Sequence, residues 1–182
     1  MVSTKKITAG IARPAAFLDR DGVLNEDNGF VHRPDQLVWL DGAPAAVRAL
    51  NEAGYYVIVI TNQAGIARGY YDETALHQFH EHMQDMLIAQ GAHIDAFYYC
   101  PHHPDGVIKK WAVECNCRKP KTGLIEQALR DRNINLNQSF LIGDRDTDLA
   151  AGAALNIRSI KFDARQCTLL DLICREIGAR AF

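Results

Sequence analysis

From Tyr56 to Thr61 the chain reads Tyr-Val-Ile-Val-Ile-Thr, apolar at consecutive rather than alternate positions. A strand of that composition buries both of its faces, the habit of parallel strands in an α/β sheet and not of a hairpin with one wet side. Four more short segments read as strands: Ala15 to Asp19, Ala96 to Cys100, Ser139 to Asp144 and Ser159 to Phe162. Helical patterns separate them. One opens at Asp41-Gly42-Ala43-Pro44, with proline in its first turn, and closes at Gly54. Asp72 caps the next, which runs to Gly91. Others cover Thr122 to about Arg132, Asp146 to about Leu155, and Cys167 to Gly178. This alternation predicts an α/β sandwich around a mainly parallel central sheet.

With 182 residues the chain reads as a single domain, residues 1–182, long enough to bury a core. A net charge of −2 gives no electrostatic reason to expect nucleic acid or an anionic membrane as partner. The apolar runs are far too short to cross a bilayer, and Met1 to Phe17 lacks the apolar stretch of a signal peptide. Residues 1–13 read as a frayed, polar lead-in to the first strand, the expected compartment is the cytoplasm and the expected state a monomer.

In parallel α/β sheets the reactive groups collect at the C-terminal ends of the strands. Three separated segments place polar groups there: Asp19-Arg20-Asp21-Gly22, Thr61-Asn62-Gln63-Ala64-Gly65 and Gly143-Asp144-Arg145-Asp146. Side chains two apart on a strand point the same way, so Asp19 and Asp21 are expected to crowd together, a repulsion that a hard cation such as Mg²⁺ relieves. A carboxylate such as Asp19 can attack phosphorus, and Asp21 can then exchange the protons of the leaving group and of water. Thr61, Asn62, Gln63 and Ala64 offer hydroxyl, amide and backbone donors for phosphoryl oxygens, and Lys119 offers a point charge. Asp144 can complete an oxygen shell for the cation, with Asp148 in reserve. Each piece alone is a common turn or cap; together, at successive strand exits, they point to phosphoryl transfer.

Asp19-Arg20-Asp21-Gly22, Thr61-Asn62, Lys119 and Gly143-Asp144 resemble the ordered motifs of the haloacid-dehalogenase-like phosphohydrolases, over Ala15 to Phe162. The resemblance implies a Rossmann-like three-layer sandwich and an aspartyl-phosphate mechanism assisted by Mg²⁺. Asp19 would be the nucleophile and Asp21 the acid–base, with Thr61 and Lys119 supporting them. Mg²⁺ would sit on Asp19, Asp144 and the backbone carbonyl of Asp21. No large cap domain is inserted.

Cys100-Pro101-His102 and Cys115-Asn116-Cys117 bracket a short loop, 100–117. Three thiolates and an imidazole make a closed tetrahedral set for structural Zn²⁺, with Cys100, His102, Cys115 and Cys117 as ligands and His103 as the other histidine in reach. Disulfides are not expected among cytosolic thiols. This loop, with Asn28-Gly29-Phe30-Val31-His32 and the Thr61 to Tyr70 run, resembles the heptose bisphosphate phosphatases and their relatives the histidinol phosphatases. That likeness implies a small phosphosugar substrate, cleaved at the 7-phosphate of a heptose 1,7-bisphosphate, with histidinol phosphate as second reading. It places substrate contacts at Asp27, Asn28, Gly29, Phe30, Thr61, Asn62, Gln63, Ala64, Arg118, Lys119 and Arg145. Val23 and Arg145 depart from the usual threonine and lysine. A receiver-type signalling domain is the non-enzymatic alternative, and Asp21 argues against it.

Among the remaining residues, His77, His80 and His82 do not share one helical face and read as solvated. Cys167 and Cys174, seven apart, read as core thiols, while Arg68 reads equally as substrate-facing or solvent-exposed.

Overall fold

The computed structural model describes residues 11–178, so most of the expected lead-in lies outside them. Arg13 is not frayed: its guanidinium donates to the carbonyls of Gly54 and Tyr55 and lies 4.2 Å over the Tyr56 ring.

Strands β1 (Ala15–Leu18), β2 (Tyr56–Asn62), β3 (Ala96–Cys100), β4 (Phe140–Gly143) and β5 (Arg158–Lys161) form one sheet in the order β3-β2-β1-β4-β5. Every pairing is parallel. Helices α1 (Ala43–Glu52), α2 (Glu73–Ile88), α3 (Gly123–Asp131), α4 (Asp146–Ala153) and α5 (Leu169–Gly178) cover it. The pleat sorts the core into two layers. Ala16, Leu18, Val57, Val59, Phe140 and Ile142 pack with residues of α1, α2 and α5. Phe17, Ile58, Ile60 and Leu141 pack with residues of α3 and α4. Each of these large side chains contributes roughly 1.5–3 kcal/mol on burial. The three-layer α/β sandwich expected from the strand–helix alternation is the observed fold.

The chain runs from β1 outward through β2 to β3, then crosses back to add β4 and β5 on the other side. Leu18 is level with both Val59 and Ile142. The segments that follow these strands therefore emerge together at the point where strand order reverses, where open parallel sheets bind ligands.

Two expectations on helices change. Helix α5 starts at Leu169 rather than Cys167, because Thr168 and Asp171 cap one another: the Asp171 N–H donates to Thr168 Oγ1 at 3.1 Å, and the Thr168 N–H donates to the Asp171 carboxylate at 3.3 Å. Cys167 thus precedes the helix, half-buried, and Cys174 is exposed. His80 is not solvated. It completes the inward stripe Leu76, Phe79, His80, Met83, Leu87 and stacks on Phe97 with ring centroids 4.3 Å apart. Burial, with the nearby Arg20 charge, drives its imidazole down to about 2.

Neutral His80 has a consequence for stability. An unfolded histidine binds a proton below its ordinary value of about 6.5, whereas the folded one does not until far lower pH. Stability is therefore complete above that value and falls as pH drops below it, by up to about 1.4 kcal/mol per pH unit from this group. His80→Gln should remove that component, so urea denaturation of the two proteins from pH 7.5 to 4.5 should give diverging slopes. Parallel curves would mean that His80 titrates normally in the folded state.

Candidate active site

Asp19 follows β1 directly and is 7% exposed. One carboxylate oxygen accepts from the Arg20 N–H at 2.7 Å and from Lys119 Nζ at 2.9 Å. The same ammonium meets Asp148 at 2.7 Å and donates to the carbonyl of Ile60 at 2.8 Å. All three of its donors are used in a place almost without water. Burial alone would lower the Lys119 ammonium, but Asp19 and Asp148 outweigh it and raise it above the ordinary lysine value.

Carboxylate oxygens of Asp19, Asp144 and Asp148 lie within 4.8 Å of one another. Burial pushes Asp19 up to about 6, against the pull of Lys119 and with the Asp148 charge adding to the rise. Asp144 is raised too, by burial working against Arg145. The Lys119 ammonium thus meets two of the three carboxylates, Arg145 stands 3.8 Å from the third, and Asp144 Oδ1 is buried without a hydrogen-bond partner among the described residues. An all-oxygen donor set with negative charge to spare suits Mg²⁺. Two glycines permit the approach. Gly22 has φ +83°, and a Cβ there would stand 2.6 Å from Asp144 Oδ2; a Cβ on Gly143 would stand 2.1 Å from that of Asp148.

Asp21 is not part of that cluster. Its carboxylate accepts from Arg20, from Asn25 Nδ2 at 3.0 Å and from Gln63 Nε2 at 2.9 Å. The two aspartates are therefore not left to repel each other: Asp19 is paired with Lys119 and Asp21 with Arg20. Of Asp21, only the backbone carbonyl remains for the expected cation role.

The wall beyond β2 is built by amides. Asn62 and Lys119 clasp each other through reciprocal bonds of 3.0 and 3.1 Å, and Gln63 donates to Thr61 Oγ1 at 2.9 Å. A cleft of about 640 Å³ opens over these groups, lined by Asp19, Asp21, Thr61, Asn62, Gln63, Ala64 and Lys119. Asp27, Gly29, Phe30, Arg118 and Arg145 line it as well, and Arg145 bridges to Asp27 at 2.5 Å. Asn28 does not line it; its amide donates to the Glu26 carboxylate on the exposed side of the loop. Arg68, Tyr71 and His103 line the cleft as well; the sequence offers Arg68 evenly as substrate-facing or exposed, His103 only as an alternative zinc ligand, and Tyr71 not at all. No local pattern marks Tyr71, whose hydroxyl reaches Gln63 from eight residues away.

Cys100, His102, Cys115 and Cys117 form the second cluster, their donor atoms also within 4.8 Å of one another. The sulfurs stand 3.1 to 3.5 Å apart and His102 Nδ1 is 3.3 Å from Cys117. Tetrahedral Zn²⁺ with bonds of about 2.3 Å to sulfur spans edges only slightly longer, roughly 3.8 Å. His103 turns instead toward Arg68, at 3.4 Å. The loop tip is fastened separately, the N–H groups of Val107 and Ile108 both donating to the carbonyl of Ala67.

Residues 16–165 match the family model described as "Polynucleotide kinase 3 phosphatase". The D-glycero-beta-D-manno-heptose-1,7-bisphosphate 7-phosphatase of Pasteurella multocida is 44% identical over 81% of this chain and 79% of its own. That of Rhodopseudomonas palustris is 41% identical over 91% and 90%. Among solved structures, D,D-heptose 1,7-bisphosphate phosphatase from B. bronchiseptica, complexed with magnesium and phosphate, aligns with TM-score 0.77 and 29% identity over 91% of this chain and 99% of that one. Identity at this level over a shared fold, with a family match that spans residues 16–165, leaves one conclusion: the chain belongs to the haloacid-dehalogenase-like phosphatases, in the family of the polynucleotide kinase 3 phosphatase model.

Proposed function

We propose that this phosphatase removes the 7-phosphate of D-glycero-D-manno-heptose 1,7-bisphosphate, with Mg²⁺ at the acidic cluster and an aspartyl-phosphate intermediate on Asp19. The observation that carries the reading is the pairing of the acidic floor with a set of arginines lining the same cleft. Lys119 stands at the floor, and Arg68, Arg118 and Arg145 stand along the walls. A substrate with phosphates at both ends satisfies both sets. The acids toward the mouth are already engaged, Asp27 by Arg145 and Asp146 by Lys161, which leaves little to hold the cationic end of histidinol phosphate. The names of the curated relatives support the same choice.

In the first step the Asp19 carboxylate attacks phosphorus while the bond from phosphorus to the sugar oxygen breaks, and protonated Asp21 gives that oxygen its proton. In the second, water attacks the phosphorus of the acyl phosphate, Asp21 takes the proton, and the bond to Asp19 breaks to release inorganic phosphate. Mg²⁺ at Asp19 and Asp144 supplies charge neutralisation for the carboxylates and the phosphoryl oxygens. Lys119 faces the same group, and Thr61 and Asn62 orient it. The Zn²⁺ cluster holds the loop that runs directly into Arg118 and Lys119; with four protein ligands it has no open position and acts as a scaffold.

The deciding assay is phosphate release with Mg²⁺ from both anomers of heptose 1,7-bisphosphate, beside histidinol phosphate and a 3′-phosphorylated oligonucleotide. A large kcat/KM preference for one heptose anomer is expected, and preference for either of the other substrates would overturn the assignment. Asp21→Asn should lower kcat by about 10²- to 10⁴-fold, with thermal midpoint and Mg²⁺ affinity near those of the parent. Undiminished turnover would remove Asp21 as acid–base. Cys117→Ser should lose zinc, as read by metal analysis, and raise KM with a lowered thermal midpoint; unaltered kinetics in zinc-free protein would refute the scaffold role.

A further inference from the structure

Arg20 lies between the two aspartates and is wholly buried, a rare place for a guanidinium. Nε and Nη2 hold the Asp21 carboxylate at 2.9 to 3.1 Å. Nη2 also donates to the carbonyl of Val31 at 2.6 Å and to Gln63 Oε1 at 3.3 Å. Nη1 meets His80 Nε2 at 3.3 Å, and the group lies 4.8 Å from the centroid of the Phe79 ring. His80 is neutral, so Nε2 serves as an acceptor there.

These partners belong to different parts of the site. Val31 ends the loop that carries Asp27 and Phe30, Gln63 follows Thr61 at the end of β2, and Phe79 and His80 belong to α2. The Asp21 carboxylate is held on both oxygens, Oδ1 by Arg20 and Asn25, Oδ2 by Arg20 and Gln63. Stability alone does not account for such a group, because buried ion pairs are often replaceable by apolar residues without loss. A planar guanidinium does what an apolar residue cannot: it fixes the angle of the carboxylate and the position of a carbonyl at once.

We propose that Arg20 is a positioning residue, which sets the rotamer of Asp21 for proton transfer. This rests on Asp21 being the acid–base, and the test separates the two claims. Arg20→Met, Arg20→Lys, Asp21→Asn and each Arg20 change combined with Asp21→Asn are assayed on the substrate that turns over best, with p-nitrophenyl phosphate beside it. Arg20→Met is expected to lower kcat by roughly 100-fold, within the range of general acid–base catalysis, with KM changed less than about threefold. Arg20→Lys should fall between it and the parent. In the Asp21→Asn background either change should cost almost nothing further, since residues that act through one group are not additive. The loss in kcat/KM should be smaller for the aryl phosphate, whose leaving group needs no proton. Where Arg20→Met does not fold, as judged by circular dichroism, Arg20→Lys carries the same cycle. Losses that multiply in the double variants, or a KM that rises in step with the fall in kcat, would overturn the role of Arg20. Full activity in Asp21→Asn would instead remove the acid–base reading beneath it.

Discussion

A single buried ammonium organises the floor of this cleft. Lys119 Nζ spends its three donors on Asp19, Asp148 and the carbonyl of Ile60, joining groups that follow β1, begin α4 and sit within β2. A lysine so far from water is tolerable only where carboxylates surround it, and the carboxylates are tolerable only because it is there. The main chain of Lys119 is clasped by Asn62, so the charge is fixed from both ends. Removing it would leave Asp19 and Asp148 buried without a counter-charge, which is why the rest of the site depends on it.

The two aspartates of the first motif are paired with different cations. Asp19 shares its ammonium with Asp148 and is nearly dry, so its charge is exposed to any electrophile that enters. Asp21 is gripped by a guanidinium and two amides and is not a member of the acidic cluster. Neighbouring residues in one motif thus acquire different environments, which is what the proposed division into nucleophile and proton carrier requires.

Much of this was legible in the chain because its signals are local. The strand exits are marked by apolar runs that stop at Asp19, Thr61 and Asp144, and parallel packing brings such exits together. The metal-type clusters are marked by donor chemistry, as with Cys100, His102, Cys115 and Cys117. Interactions between distant segments were not legible. Arg20 meets residues 31, 63 and 80, and no spacing rule predicts that convergence. His80 was hidden differently: taken with the other histidines its spacing means little, while taken with Leu76, Phe79, Met83 and Leu87 it completes a buried stripe. Asn28 lies among cleft-lining neighbours in sequence, but its amide is engaged by the exposed Glu26 carboxylate instead.

The zinc-type loop is anchored at its base by four ligand residues and at its tip by the carbonyl of Ala67. Between these anchors it sends His103 to the cleft, while its base continues into Arg118 and Lys119. His103 and the Arg118–Lys119 pair are therefore held by different anchors of one segment. Changes between residues 103 and 114 can reshape what the cleft admits without moving the ammonium at its floor, so a fold of this kind can acquire new substrates while its reaction stays the same.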